Sequence, residues 1–229
     1  MHITKSSVNE RSDNRPVVDL ILASRLVAIL RLDDLTNAKP LVEALLLSGV
    51  RAIEFTLTNP QTPKVVAELR QSISAFSDGN SAIGIGSVRN ADEAKRSLDA
   101  GAQFLVSPIA LESIVVEAKK HETAVCLGAY TPTEIAMAWE LGADIIKVFP
   151  ARSLRPNYVR DVLAPMPYLR LMPTGGVDLS NMSEYLKAGA VAVGIGGKFV
   201  DPEWIRNKAW DEVTRAASEY VLTATPSEK

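Results

Sequence analysis

One lysine lies in a setting that favours chemistry. Lys147 is embedded in an apolar stretch, 143–150 (ADIIKVFP), which is typical of a short strand buried on both faces. Burying an unpaired ammonium group is costly, and the usual relief is loss of the proton. A neutral amine in an apolar pocket is the nucleophile that Schiff-base chemistry requires. From the strand alone, a lysine whose charged head reaches water remains an equal alternative.

A carboxyl group on a second predicted strand can complete such a site. Residues 51–57 alternate between bulky apolar and small or polar side chains, which predicts a strand with Glu54 on the small, polar face. In a closed barrel that face points inward. Glu54 can then shuttle protons, or it can form a buried ion pair that fills the interior. Because a touching carboxylate favours the ammonium form, a proton shuttle predicts Glu54 a little away from Lys147, bridged by water.

The scarcity of histidine and cysteine restricts the chemistry. The 229 residues include only His2, in a polar stretch, and His121, in a charged helix end, so neither a histidine triad nor a metal site is expected. Acid–base chemistry must then come from carboxylates, lysine or water. The single cysteine, Cys126, is interpreted as a small buried residue, which excludes a disulfide framework and favours a reducing compartment, the cytoplasm.

Charge and hydropathy argue against nucleic acid and membrane as partners. The formal net charge is -2 and no block of lysine and arginine occurs. No apolar run approaches the roughly 20 residues that cross a bilayer. Residues 1–15 lack the apolar core of a signal peptide and are predicted to be a flexible arm, and 223–229 a loose tail.

Eight short apolar segments recur along residues 16–222, and each is followed by a helical pattern. They are 26–30, 51–57, 81–87, 104–108, 124–129, 143–150, 169–173 and 191–195. Strands alternating with helices indicate a parallel sheet. Eight such units predict one α/β domain, a (β/α)8 TIM barrel, with an extra N-terminal helix at 16–25 and a last amphipathic helix at about 203–222. A doubly wound open sheet is the alternative, although the turn after the first segment is not glycine-rich.

In such barrels the site lies at the carboxyl ends of the strands. Polar and glycine residues cluster at the corresponding places in this chain, while the strand bodies are apolar. They are Arg31, Glu54, Thr56, Thr58, Ser87, Pro108, Lys147, Phe149, Thr174, Gly175, Gly176, Gly196, Gly197 and Lys198.

Glycines carry two further signals. The third segment has alternate glycines, Gly84 and Gly86, which leave an empty stripe and usually mark close approach of a ligand or a backbone. The glycine pairs 175–176 and 196–197 follow segments seven and eight, where barrels often bind phosphate through backbone N–H groups. Ordinary tight turns remain the alternative. Lys198 could add a positive charge to a phosphate.

Five stretches together resemble the family of 2-keto-3-deoxy-6-phosphogluconate (KDPG) aldolases, which includes 2-keto-3-deoxy-6-phosphogalactonate and 4-hydroxy-2-oxoglutarate aldolases. They are 49–57 (GVRAIEFTL), 84–88 (GIGSV), 100–108 (AGAQFLVSP), 147–151 (KVFPA) and 173–177 (PTGGV), and the likeness spans about residues 27–200. The resemblance implies that Lys147 forms a Schiff base with the pyruvate moiety and that Glu54 is the general acid/base. It also implies that Thr174 and the 175–176 backbone hold the distal substrate, that residues 196–197 bind its phosphate, and that the protein is a homotrimer without metal or cofactor.

The resemblance leaves the substrate open at two positions. Members of the gluconate type often carry an arginine four residues after the glutamate, where it binds the substrate carboxylate, but this chain has Thr58. Arg31 can supply the charge instead, as expected in galactonate-type members. The position after the second glycine pair commonly holds a small residue, whereas this chain has Lys198 there. The expected substrate is a phosphorylated keto-deoxy sugar acid. Cleavage of 4-hydroxy-2-oxoglutarate and a non-catalytic sugar-phosphate-binding barrel are the alternatives.

Overall fold

A computed structural model of the chain describes residues 16–197 and 199–225, and these residues form eight parallel strands and ten α-helices. The strands are β1 (Leu26–Leu30), β2 (Ala52–Thr56), β3 (Ala82–Gly86), β4 (Phe104–Val106), β5 (Ala124–Ala129), β6 (Ile145–Val148), β7 (Leu171–Pro173) and β8 (Val193–Ile195). The helices are α1 (Pro16–Ser24), α2 (Ala38–Leu47), α3 (Thr62–Ser72), α4 (Ala91–Asp99), α5 (Glu112–Lys120), α6 (Pro132–Leu141), α7 (Arg155–Leu163), α8 (Met182–Lys187), α9 (Pro202–Arg206) and α10 (Trp210–Ala224).

The strands curl into a nearly closed barrel. Their order is β7-β6-β5-β4-β3-β2-β1-β8, so the first strand pairs with the last. A bridge between Thr174 and Gly194, with a hydrogen bond of 3.0 Å from Val191 N to Leu171 O, joins the remaining edges. The predicted (β/α)8 barrel with an N-terminal helix is confirmed, and the open-sheet alternative is wrong.

Alternation along each strand separates two apolar layers. On β2, Ile53 and Phe55 belong to the outer layer under the helices, while Ala52 belongs to a smaller inner cluster. The inner cluster also contains Val18 and Ile21 of α1, so this helix packs against one end of the interior. Because α1 leads directly into β1, it lies at the amino ends of the strands. The other mouth of the barrel is therefore the one available for a site.

The C-terminal part differs from the sequence-based expectation. The single helix expected over 203–222 is two helices, α9 and α10. Lys208, between them, has φ 53°, a left-handed conformation that ends the first helix. Helix α10 continues to Ala224, two residues beyond the expected boundary. The predicted arm at 1–15 lies outside the described residues, as does most of the predicted tail. Within the described ranges, no helix is long and apolar enough to cross a membrane.

Candidate active site

Lys147 is held inside the barrel by strand β6. Its neighbours along the strand, Ile146 and Val148, belong to the outer layer, so the lysine side chain shares the inner face with Ile145. The residue is 6% exposed. Its register partners are Gly128 on β5 and Met172 on β7. Nζ lies 5.1 Å from the centroid of the Phe149 ring. The amine is thus at the carboxyl end of its strand, beside an aromatic wall.

Glu54 lies on the inner face of β2 and is fully buried. Neither carboxyl oxygen has a hydrogen-bond partner among the described residues. Burial raises the pKa of Glu54 above its usual value, and the positive charges of Lys147 and then Arg31 oppose that rise. The carboxyl group therefore keeps its proton to a higher pH than an exposed glutamate does.

The two side chains share the interior without forming a direct pair. No salt bridge within 4.0 Å joins Glu54 to Lys147 in the part of the chain that the structure describes. The charge of Lys147 is nevertheless close enough to lower the pKa of the Glu54 carboxyl group. This is the separation expected of a proton shuttle rather than of a structural ion pair. The bridging water stays a prediction.

Strands β1 and β2 end in a polar corner that includes Arg31. The side chain of Arg31 is exposed, and its charge reaches Glu54. The buried Thr56 hydroxyl lies 2.7 Å from the hydroxyl of exposed Thr58. Sequence reasoning missed Asn59, whose side-chain amide donates hydrogen bonds to Leu32 O at 3.2 Å and Asp33 O at 2.8 Å. Asn59 thereby ties the loop after β2 to the loop that carries Arg31.

The end of β7 joins the lysine strand through Thr174. Its backbone N–H donates to Val148 O at 2.9 Å, and its carbonyl accepts from Ala151 N at 2.8 Å. Gly175 and Gly176 follow with φ of 84° and 91°, conformations that favour glycine. A side chain at 175 would also stand 3.1 Å from the Phe149 ring. These features hold the turn against the aromatic wall beside Lys147.

The end of β8 is open. A Cβ built on Gly196 or Gly197 would meet no atom within 4 Å among the described residues, which leaves room for a ligand next to the backbone. Lys198 lies outside the described residues, so its predicted contribution to a phosphate site stays a prediction. The glycine turns after β7 and β8 are neighbours, because the bridge between Thr174 and Gly194 joins these two strands.

Ser87 and Pro108 occupy the ends of β3 and β4. Ser87 is half-buried with φ 63°, and half-buried Pro108 packs its backbone where a side chain on Gly128 would stand. The peptide bond between Phe149 and Pro150 is cis. All the described candidate residues therefore lie on the inner face of a strand or follow its carboxyl end. Their individual roles remain predictions.

The arrangement suits an amine nucleophile beside a titratable carboxyl group in a water-poor interior. A buried amine can add to a carbonyl compound, and a nearby carboxyl group can move the protons that this addition requires. In residues 16–197 and 199–225, no group of three or more His, Cys, Asp or Glu side chains is placed to hold a metal ion. Burial raises the pKa of the Cys126 thiol, and this buried residue packs in the inner cluster as expected.

Comparisons with known proteins point to one family. A family model described as KDPG and KHG aldolase matches residues 17–216. The 2-dehydro-3-deoxy-phosphogluconate aldolase of Treponema pallidum is 31% identical over 199 residues, covering 86% of this chain and 92% of that protein. The 2-dehydro-3-deoxy-6-phosphogalactonate aldolase of Escherichia coli is 29% identical, covering 75% and 82%. A solved structure of KDPG aldolase from Legionella pneumophila, with pyruvate captured at low pH as a covalent carbinolamine intermediate, superposes with a TM-score of 0.80 at 27% identity, covering 90% and 97%.

Proposed function

Because the chain belongs to the KDPG and KHG aldolase family, whose members are carbon–carbon lyases, we propose that it cleaves a 2-keto-3-deoxy-6-phospho sugar acid through an imine on Lys147. The products are pyruvate and D-glyceraldehyde 3-phosphate, and the substrate is the gluconate or its galactonate epimer. The observation that carries the proposal is the buried, unpaired Glu54 carboxyl group in the same interior as the Lys147 amine. The carbinolamine in the Legionella relative supports it, since this species forms when an amine adds to the keto group of pyruvate.

The reaction begins when the Lys147 amine adds to the C2 keto group, and loss of water gives a protonated imine. A base takes the proton of the C4 hydroxyl, the C3–C4 bond breaks, and its electron pair flows into the imine. This step yields an enamine and the free aldehyde. Protonation at C3 and hydrolysis of the imine then release pyruvate and restore the amine. Glu54 takes and returns these protons through water, and burial raises its pKa above the usual value of a glutamate.

The distal end of the substrate is proposed to lie at the turns after β7 and β8. Thr174 and the backbone of residues 175–176 hold the sugar chain, while Gly196 and Gly197 border the open space that suits a phosphate. Ser87, Pro108 and Phe149 form the wall around the reacting carbons. Backbone N–H groups in such turns bind phosphate without a side chain.

A panel of keto-deoxy acids tests the substrate class. We expect pyruvate release with a kcat/KM that is higher for the 6-phosphorylated gluconate or galactonate than for the unphosphorylated acids. The family also includes aldolases for 4-hydroxy-2-oxoglutarate, so this compound belongs in the panel. A preference for it, with glyoxylate as the second product, would favour the alternative. Absence of pyruvate from every compound would contradict the proposed function.

Arg31 is proposed to bind the carboxylate of the pyruvate moiety, since its charge already reaches Glu54. Replacing it with alanine should raise KM by about 10- to 100-fold, because a charge-assisted hydrogen bond is lost. Removing its positive charge should also raise the pKa of Glu54 further, so the rise of activity with pH moves to higher pH.

Arg51 offers a matched control. It is exposed and precedes β2, at the amino end of the barrel. Arg51→Ala should leave KM and the pH profile unchanged, and steady-state kinetics across pH compares the two variants. An Arg31→Ala enzyme with wild-type KM would show that another group binds the carboxylate.

We propose that the protein is a homotrimer, as the family resemblance implies. A homotrimer would cover apolar side chains that are unusually exposed on neighbouring helices, including Val116 on α5 and Met137 on α6, which are 45% and 53% exposed. Light scattering of the purified protein at several concentrations tests this state. The cytoplasm remains the compartment expected from the single, buried cysteine.

A further inference from the structure

The carboxyl group of Glu54 lies in space that a side chain on strand β3 would fill. A Cβ built on Gly86 would overlap the Glu54 carboxyl oxygen Oε1 and carbon Cδ, and would stand 2.7 Å from Cγ. All three of the atoms nearest to that position belong to Glu54. Real Cβ atoms do not approach other atoms so closely. The position of the carboxyl group therefore depends on the absence of a side chain at residue 86.

Backbone conformation does not explain this glycine. The φ of Gly86 is outside the left-handed region that favours glycine, unlike the φ of Gly175 or Gly176. The residue is also fixed in the sheet. It pairs with Thr56 and with Val106 in the two neighbouring strands, and its carbonyl accepts a hydrogen bond of 2.8 Å from Leu57 N. Added bulk at residue 86 must therefore move Glu54 rather than the strand.

We propose that Gly86 is a positioning residue for Glu54, because its missing side chain provides the room in which the acid/base carboxyl group lies. The inference rests on the proposed function, in which Glu54 transfers protons next to the imine on Lys147. A methyl group at residue 86 displaces the end of a flexible side chain, which the fold accommodates easily. The displaced carboxyl group moves toward the open mouth, since the rest of the interior is filled by the inner apolar cluster.

Gly84 provides a matched control on the same strand. It is two residues earlier, so its side chain would project from the same face of β3. A Cβ there would meet the ring of Phe104 at 2.6 Å, and the three nearest atoms all belong to that ring. Gly84→Ala therefore crowds the Phe104 ring of the apolar core, and none of the three atoms nearest to its added methyl group belongs to Glu54. It should lower the melting temperature while the folded enzyme keeps its proton-transfer rate.

The test follows the exchange of the pyruvate methyl protons with deuterated water, a step that needs both the imine and the base. Gly86→Ala should exchange about 10- to 100-fold more slowly than wild type, because a small misplacement of a catalytic group has an effect of this size. Borohydride added with pyruvate should still label Lys147 in the Gly86→Ala variant. The pH at which exchange rises should fall, because the displaced carboxyl group leaves the buried position that raises its pKa. An unchanged exchange rate and pH profile would overturn the positioning role.

A double variant tests the contact itself. Glu54→Asp shortens the side chain by one methylene, so Gly86→Ala should harm the Glu54→Asp variant less than it harms wild type. If Gly86→Ala slows exchange by the same factor in the Glu54→Asp variant as in wild type, the proposal is overturned. If Gly86→Ala lowers the melting temperature, the same comparison applies to stability: a penalty relieved by Glu54→Asp supports the contact, and an equal penalty in both backgrounds contradicts it. A wild-type protein that borohydride and pyruvate do not label would overturn the proposed function, whereas a labelled wild type with an unimpaired Gly86→Ala variant overturns only the role of Gly86.

Discussion

Replacing Lys147 with methionine should lower pyruvate release from the phosphorylated substrate by at least about 10⁴-fold, an effect typical of losing the nucleophile of a covalent mechanism. Methionine keeps most of the length of the buried stem and carries no amine. The folded state should therefore persist, and its melting temperature should be equal to or above that of wild type, since an ionisable group has left the interior. The loss then lies in the chemistry and not in the fold.

Two further lysine variants separate the nucleophile from its charge. Lys147→Arg retains a positive charge near Glu54 but forms no imine, so it should be as inactive as Lys147→Met. Lys39→Ala changes an exposed lysine on α2 and should behave as wild type. Pyruvate release in a coupled assay, with circular dichroism to confirm folding, compares the three proteins. Substantial turnover by Lys147→Met would remove the amine from the mechanism.

Replacing Glu54 with glutamine should reduce kcat by about 10² to 10⁴-fold, the usual contribution of a general acid or base. The same change should stabilise the protein at neutral and alkaline pH. Burial raises the pKa of Glu54, so the folded state binds its proton more tightly than the unfolded chain. The free energy of unfolding of wild type therefore falls as pH rises from about the unfolded value of 4.5 through the raised pKa. Glutamine does not titrate, so this part of the pH dependence should disappear.

Melting curves from pH 5 to pH 9 measure the stability effect. The two proteins should melt at similar temperatures at the acidic end and diverge as pH rises, with Glu54→Gln the more stable; each kcal/mol corresponds to about 2 to 4 °C for a domain of this size. Parallel curves across the whole range would show that Glu54 does not titrate in this window. An active Glu54→Gln enzyme would show that another group moves the protons.

The inward placement of both site residues was predictable because strands have a period of two. Once the side chains of Ile53 and Phe55 were assigned to the face of β2 that packs against the helices, Glu54 had to face the interior. The structure confirms this. Lys147 interrupts an apolar run for the same reason, and it too is on the inner face. The order of the strands followed from the repeated strand–helix pattern. The local sequence was sufficient to predict those features that depend on a regular spacing of residues along the chain.

Contacts between distant residues were not predictable in the same way. The alternate glycines of β3 indicated a close approach, but only the structure shows that the Glu54 side chain is what approaches Gly86. The hydrogen bonds from Asn59 to the loop after β1 depend on how two loops meet. The break between α9 and α10 depends on the left-handed conformation of Lys208, a residue with no special preference for it. Each of these features is decided by tertiary packing rather than by a local pattern.

Reductive trapping tests most directly the proposal that Lys147 attacks the keto group of the substrate. The protein is incubated with pyruvate and borohydride and digested, and the masses of its peptides are measured by mass spectrometry. The peptide containing Lys147, and no other lysine peptide, should gain the mass of one carboxyethyl group, and the Lys147→Met protein should gain none. A wild-type protein that remains unlabelled, or one labelled at a different lysine, would contradict it.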